Sequence, residues 1–403
     1  MEVSLYNIVI NKENSTLVIF NTLSGAIFEL EKDIYDMYIS SNQNQSKDLP
    51  YYNELFDLGF FSSKVDAKIN NTNLTLVISL SELCNLNCYY CFENNNKKCH
   101  SNSNTYVDLL KLIDLYLSER TYISNVSIIW FGGEPMIEAR KIKETSIRLI
   151  EICNKYNVIY TASIISNGTL FTNEFISDID LLHIKNVQLT IDGGLDKFID
   201  NKCGNMQLWD SFNYSLGKLC KKCIVKIRIN LDKDNIFSVK RYLKQLQEIG
   251  VLNEVDISIS RIETSNSFKQ LSYCEFYSHK LDLFKYLLYN LRYKNNESLF
   301  NELSPIETAC AIKSSRSIVV DSQGKCYKCE DDIGTDSIVK VTDIEACVKE
   351  IDTDTLQYDS RCHECIIYPL CKGGCSRHWD KDNCNIKIEY IKKLAYIKYI
   401  YSG

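Results

Sequence analysis

Cys84-Asn-Leu-Asn-Cys88-Tyr-Tyr-Cys91-Phe92 follows directly on an apolar, strand-like stretch from Leu74 to Leu80. The three cysteines stand at C-x3-C-x2-C spacing on one tight loop, close enough to hold three corners of a cubane iron–sulfur cluster. A structural site normally takes four protein ligands, and this motif supplies three. One iron then keeps an open position, which is where a cofactor binds and chemistry begins. The alternative is a structural zinc or cluster site that borrows its fourth ligand from a distant part of the chain.

Outward from that loop the chain alternates strand and helix patterns. Strand-like runs fall at Leu74–Leu80, Val126–Phe131, Val158–Ser166, Val187–Ile191, Ile224–Leu231 and Val255–Ile259. Helical patterns lie between them at Tyr106–Glu119, Ile137–Lys155, Asn173–Leu182, Leu208–Leu219 and Val239–Ile249, and a last one, Glu275–Tyr293, follows the sixth strand. Six β/α units in a row predict an α/β fold with a parallel sheet and outer helices, either an open wound sheet or a partial barrel. In such sheets the site lies at the carboxyl ends of the strands, where the cysteine loop falls. Upstream, short strands (Leu5–Asn11, Thr16–Asn21, Gly25–Leu30) precede helical runs near Asp33–Ser40 and Pro50–Phe56, with a polar loop at Asn42–Lys47 and a linker at Ile69–Asn73. From about residue 300 the periodicity fades and cysteines replace apolar residues as the expected source of stability.

The chain has 403 residues, 45% of them hydrophobic, enough for a large core and two or three domains. A net charge of −6 excludes the basic footprint of a nucleic-acid partner. No run of eighteen apolar residues offers a membrane span, and the amino terminus lacks the regions of a signal peptide. The expected location is cytoplasmic. Eighteen cysteines in a reducing compartment read as metal ligands rather than a disulfide framework, and nine of them lie between Cys310 and Cys384. Five histidines favour thiolate iron sites over imidazole-rich zinc or copper.

The cysteine loop after the first strand, together with Gly132-Gly133-Glu134-Pro135 after the second, resembles the two leading motifs of radical S-adenosylmethionine enzymes. The resemblance implies a 4Fe-4S cluster on Cys84, Cys88 and Cys91 whose free iron chelates the amino and carboxylate groups of S-adenosylmethionine. Reductive cleavage of that cofactor yields a 5′-deoxyadenosyl radical, which abstracts hydrogen from a substrate. The glycines let the backbone approach the amino group, and Glu134 orients the loop or accepts a hydrogen bond. Further matches are Ser166-Asn167-Gly168-Thr169, Thr190-Ile-Asp192-Gly193 and Arg228-Ile-Asn230. By analogy Ser166 and Asn167 lie near the cofactor, and Thr190, Asp192 and Arg228 contact its ribose or carboxylate. Asn167-Gly168 is also an ordinary turn pair, and Thr190, Asp192 and Arg228 have a structural alternative. One departure stands out. Many relatives continue with His-Asp-x-x-Arg, where this chain has Leu195-Asp196-Lys197-Phe198-Ile199; those roles are absent here or are met by Lys197 or Lys202.

Cys310-x13-Gly324-x4-Cys329 and Cys362-x2-Cys365-x5-Cys371-x3-Cys375-x8-Cys384 resemble the SPASM domain of peptide-modifying radical enzymes. The resemblance implies two auxiliary 4Fe-4S clusters, the first on Cys310, Cys329 and Cys375 and the second on Cys362, Cys365, Cys371 and Cys384. The fourth ligand of the first is Cys326, Cys347 behind it, or an open site for a substrate thiolate. A pair of zinc-ribbon-like knuckles is the alternative. Cys220 and Cys223 read as buried thiols, and Cys99, Cys153, Cys203 and Cys274 as core or surface cysteines. His363 and His378 read as packing groups near the ligands. The run Glu330-Asp331-Asp332 is either a solvated loop or the seat of a substrate base.

The expected architecture is therefore a partial (β/α)6 TIM-like barrel with an N-terminal winged-helix-like α+β module and a C-terminal cysteine-rich iron–sulfur domain. Its segments are a leader-peptide-recognition-like module at 1–72, the barrel at 73–298 and the SPASM-like domain at 299–403. Modules of the first type add a leader peptide as an extra strand. The resemblance implies a maturase acting on a ribosomally made, cysteine-rich precursor peptide and forming thioether crosslinks, with flavodoxin or ferredoxin as electron donor and an anaerobic host. Rival readings are an anaerobic sulfatase-maturating, formylglycine-forming enzyme, a carbon–carbon crosslinking maturase, and a non-catalytic iron–sulfur peptide-binding scaffold.

Overall fold

The computed structural model describes residues 3–13, 15–40, 46–61, 72–95, 103–263, 268–307, 316–353, 360–362, 364–375 and 381–402. Cys99, Cys310, His363, His378 and most of the linker at 69–73 lie outside them. The strands are β1 (Asn7–Glu13), β2 (Thr16–Asn21), β3 (Ile27–Glu31), β4 (Asn73–Ser79), β5 (Asn125–Phe131), β6 (Ile159–Ser166), β7 (Ile184–Ile191), β8 (Ile224–Leu231), β9 (Val255–Arg261), β10 (Ser317–Val320), β11 (Lys325–Tyr327) and β12 (Val339–Lys340). The helices are α1 (Lys32–Ser40), α2 (Tyr52–Asp57), α3 (Ser103–Glu119), α4 (Ala139–Lys155), α5 (Asn173–Ser177), α6 (Leu195–Lys202), α7 (Met206–Leu219), α8 (Ile236–Glu248), α9 (Tyr273–Lys285), α10 (Ile344–Asp352), α11 (Tyr368–Cys371) and α12 (Cys384–Ser402).

The chain divides into two compact units, one of residues 1–69, 272–310 and 357–403, the other of 70–271 and 311–356. The second is built on a nine-stranded sheet in the order β12-β11-β10-β4-β5-β6-β7-β8-β9. Strands β4 to β9 pair in parallel and in sequence order. This is the partial β/α barrel that the strand–helix alternation predicts. It stays open at β4, whose free edge takes β10 in parallel with Val319 opposite Val77. Strands β11 and β12 extend it antiparallel, and Val77, Val319, Tyr327 and Ile333 form an apolar cluster across the join. The region past residue 300 thus contributes sheet as well as cysteines.

Alternation along the strands assigns their faces. Val126, Ile128 and Trp130 of β5 are buried, as are Val225, Ile227 and Ile229 of β8. The intervening positions, such as Ser127, Ser163, Gln188, Asp256 and Ser258, are half-buried and polar, and Arg228 is exposed. Parallel sheets covered on both faces carry apolar residues at successive positions. This period-two pattern instead marks one face packed into the core and one polar face left partly open.

The other unit holds the antiparallel sheet β1-β2-β3 with α1 and α2. Its core centres on Phe60, fully buried, with edge-on rings from Phe28, Tyr35, Tyr38 and Phe61 at centroid distances of 5.0 to 6.2 Å. The C-terminal cysteine segment packs in the same unit: the Thr22 hydroxyl donates to the Ile366 carbonyl at 2.5 Å. Helix α12 lies on α9 through the stacked rings of Tyr277 and Tyr390, 4.3 Å apart, and the buried Lys280 ammonium pairs with Glu302. Helix α9 starts on a Ser272–Glu275 capping box and runs into a π-helical turn at Tyr286–Asn290.

Phe60→Ala is expected to cost about 3–5 kcal/mol through the cavity it leaves. Hydrogen exchange should show protection falling in β1 to β3 while β4 to β9 keep theirs.

Candidate functional site

The cysteine loop leaves β4 at its carboxyl end without regular secondary structure of its own, so its shape comes from neighbours. The loop after β5 is the first of these. Gly133 N–H donates to the Ser81 carbonyl at 3.0 Å and Glu134 N–H to the Leu83 carbonyl at 2.8 Å. A Cβ on Gly132, which sits at φ +123°, would come within 2.4 Å of the Ser81 oxygen, and one on Gly133 within 2.5 Å of the Leu83 oxygen. What crowds these two glycines is the cysteine loop itself: bare backbone is needed for the two loops to touch.

Glu134 is fully buried. Its Oε1 accepts from Met136 N–H at 2.9 Å, capping the short turn that opens with Pro135, and from the Ser166 hydroxyl at 2.8 Å. Its Oε2 accepts from Asn167 N–H at 2.8 Å. Burial pushes this carboxyl up, and its three donors pull it back. Glu134 therefore ties the end of β5 to the end of β6. From there the Asn167 amide donates to Asn85 Oδ1 at 2.9 Å and lies 3.8 Å from the Cys84 sulfur, while the Asn85 amide donates to Thr169 Oγ1 at 2.9 Å.

The far half of the loop is held by β7, β8 and α6. The Tyr90 hydroxyl donates to the buried Asp192 carboxylate at 2.7 Å and accepts from Asn230 Nδ2 at 3.3 Å. Asn235 Nδ2 donates to the Asp192 carbonyl at 2.9 Å. Tyr89 donates to Asp232, which also takes the Asn201 amide at 3.0 Å. Thr190 is half-buried and accepts the Lys202 ammonium on its carbonyl at 2.7 Å. Arg228 stands on the open polar face with Nε 3.2 Å from Asn230 Oδ1.

Cys84, Cys88 and Cys91 are half-buried. Burial raises the Cys84 thiol and pushes Cys88 up to about 12; Cys91 adds to both rises and Cys84 to that of Cys88, while Lys202 works in the other direction at Cys88. Thiols that burial and mutual repulsion keep protonated fit ligands to a metal group, because coordination supplies the positive charge that deprotonates them. Among the described residues no three His, Cys, Asp or Glu side chains converge as they would on a single ion. A cubane cluster makes a different demand, one thiolate on each iron corner.

A second cysteine group surrounds one cavity: Cys362, Cys365, Cys371 and Cys384, with Tyr368 and Lys387. The Lys387 ammonium lies 3.4 Å from the Cys371 sulfur, and burial followed by the other three thiols raises Cys365. Four thiols facing one apolar cavity fit a further cluster. Cys375 follows the Gly373-Gly374 turn in the same unit and does not line that cavity. Cys329, in the other unit, is half-buried with its sulfur 3.9 Å from the carboxylates of Glu330 and Asp331. The Cys326 sulfur is fully buried and 3.6 Å from that of Cys347 on α10.

Asn85, Tyr90 and Asn235 carry much of this geometry and have no motif of their own, while Lys202 is one of the two lysines that the sequence offers in place of the missing His-Asp-x-x-Arg roles. Glu93 is a further unmarked group. It is buried, its Oε1 has no hydrogen-bond partner among the described residues, and burial with Glu82 nearby pushes it up to about 7.

A three-thiol loop at the carboxyl end of the first strand of a parallel sheet, with a glycine loop from the second strand pressed onto it, is the arrangement expected of a radical S-adenosylmethionine domain. The model of the Radical SAM superfamily matches residues 78–233, and the chain carries that domain. Its cofactors are S-adenosylmethionine and a 4Fe-4S cluster, and Cys362, Cys365, Cys371 and Cys384 fit an auxiliary cluster. Over 360 residues the chain is 24% identical to a cysteine-type anaerobic sulfatase-maturating enzyme of Clostridium novyi (strain NT), a match covering 79% of this chain and 93% of that protein. Native anSMEcpe, solved with bound AdoMet and Cp18Cys peptide, gives a TM-score of 0.62 at 20% identity over 81% of this chain and 98% of that one. SuiB of Streptococcus suis, solved with precursor peptide SuiA, gives 0.52 at 16% identity over 97% of this chain and 98% of that one. At these identities the solved structures share the fold. No helix among the described residues is long and apolar enough to cross a membrane.

Gly133→Ala is expected to force the two loops apart and to lower iron bound at Cys84, Cys88 and Cys91 at least several-fold. Iron and sulfide content of the anaerobically reconstituted variant, read against Gly217→Ala as control, checks it; the Gly217 site has open space for a methyl group.

Proposed function

We propose that this chain is a radical S-adenosylmethionine maturase that oxidatively modifies a ribosomally made peptide, and that its product is a thioether crosslink made from a peptide cysteine. The observation that carries the reading is the extent of the fold likeness. SuiB, solved with its precursor peptide, is matched over 97% of this chain, a span too long to leave out the β1-β2-β3 module. When bound, the cofactor and the cluster on Cys84, Cys88 and Cys91 supply a hydrogen-abstracting carbon radical.

The chain's own residues bind, orient and enclose. Gly132, Gly133 and Pro135 shape the loop beside the cofactor's methionine end, and Glu134 holds it through Ser166 and Asn167. Thr190, Asp192 and Arg228 are placed around the cofactor in this reading, with Asp192 oriented by Tyr90. Cys362, Cys365, Cys371 and Cys384 hold one auxiliary cluster of a SPASM-like domain. Cys310, Cys329 and Cys375 hold the other, its fourth position taken by Cys326 or Cys347 or left open for a substrate thiolate. The open polar face of the barrel suits a peptide backbone, which must keep its N–H and C=O groups paired. The functional segments in this scheme are 1–72 for the leader peptide, 73–298 for radical generation and 299–403 for the auxiliary clusters. Flavodoxin or ferredoxin supplies electrons, and oxygen-sensitive thiolate clusters place the enzyme in an anoxic cytoplasm.

A second reading is formylglycine formation on a sulfatase, favoured by the match over 93% of the Clostridium novyi enzyme. The two readings separate on substrate. Anaerobic protein with reductant and a short cysteine-rich peptide encoded beside its gene should form 5′-deoxyadenosine and remove two hydrogens per crosslink, read by mass spectrometry. A sulfatase peptide modified in preference, with cysteine sulfur replaced by oxygen, would select the second reading. Cys84→Ala should reduce 5′-deoxyadenosine to background in either case, and a variant that still cleaves the cofactor would remove both.

A further inference from the structure

Where many radical S-adenosylmethionine enzymes carry His-Asp-x-x-Arg, this chain carries helix α6, which ends on Asn201 and Lys202. The backbone carbonyls of these two residues accept the N–H groups of Tyr89 and Asn87, each at 3.1 Å. The two bonds bracket Cys88 and press that part of the cysteine loop onto a helix C-terminus. A helix C-terminus carries partial negative charge, and Asp192, Cys84 and Cys91 add to the anionic field at Cys88. This field opposes the addition of an electron to anything the cysteine loop holds.

Lys202 is the opposing charge. It is 2% exposed, and its Nζ donates to the Thr190 carbonyl at 2.7 Å. An ammonium has three N–H bonds and is held out of water only where anions compensate it. Its carbonyl holds Asn87, next to Cys88, while its ammonium reaches the end of β7 two residues before the buried Asp192. Lys197 is placed differently, 3.8 Å from the exposed Asp200 on the helix surface. A charge excluded from water acts more strongly on its neighbours than one on the surface.

We propose that Lys202 is a positioning residue whose buried ammonium, held against the cysteine loop, raises the midpoint potential of the cluster on Cys84, Cys88 and Cys91. Reduction adds one negative charge to that cluster, and a fixed cation nearby stabilises the reduced form. The proposal rests on the radical S-adenosylmethionine reading of the site.

The test is an EPR-monitored redox titration of the full chain, reconstituted anaerobically, with S-adenosylmethionine added to mark the cluster that binds it. Lys202→Gln keeps a hydrogen-bond donor for the Thr190 carbonyl and removes the charge; Lys202→Arg keeps the charge. The expected result is a more negative midpoint and a several-fold smaller reduced fraction at fixed dithionite for Gln, with Arg at the wild-type value. Loss of iron from this loop in Gln but not in Arg supports the same charge dependence. A Gln variant that titrates like wild type overturns the proposal, and so do equal shifts in Gln and Arg, which would trace the effect to packing. A wild-type protein without any S-adenosylmethionine-sensitive signal would remove the underlying reading, whereas a normal wild-type signal with an unshifted Gln removes only the role of Lys202.

Discussion

The site depends on a contact between two stretches of bare backbone. Ser81 and Leu83 offer carbonyls and Gly133 and Glu134 bring N–H groups to them, at separations that leave no room for a Cβ at either glycine. A loop with no internal ladder of hydrogen bonds cannot hold three thiols in register by itself, because its backbone groups would turn to water. Pinned to the loop after β5, the cysteine loop inherits the rigidity of the parallel sheet. Glu134 then passes that rigidity sideways to β6, a fully buried carboxylate whose three donors come from two loops.

The remaining contacts divide the loop in two. Asn167 and Asn85 serve Cys84 from β6, while α6, Asp192 and Asn230 serve the stretch from Asn87 to Tyr90. Each polar group in these networks meets a partner of the opposite kind, which is the condition for a buried polar network to add rigidity rather than cost. Signs matter as much as partners. Three thiols, Asp192 and Glu134 gather at one end of the sheet, and Lys202 is the buried cation that feels all but two of them.

Much of this was legible before any coordinates. The six parallel strands and helices α3, α4, α5, α7, α8 and α9 follow from apolar periodicity, which is strong where a segment spans two or more turns or a full strand. What periodicity missed is short or evenly mixed. Strands β10 to β12 have between two and four residues each, and α12 spreads apolar and charged residues around its whole circumference. Helix α6 has eight residues and lies where a family motif was looked for and not found. Asn85, Tyr90, Asn235 and Glu93 escaped because single polar residues gain meaning only from what packs against them.

Residue type and spacing determined that Cys84, Cys88 and Cys91 share a loop, that this loop ends a strand, and that glycine follows the next strand. These are local statements, set by chain connectivity and by the length of a strand. Tertiary structure decided which distant groups meet them. It placed Lys202 rather than Lys197 against the cysteine loop, committed Glu134 to holding β5 and β6 together, and turned Cys326 toward Cys347. Such choices rest on which face of a strand or helix is buried and which charge is shut away from water, and residues far apart in the chain settle both.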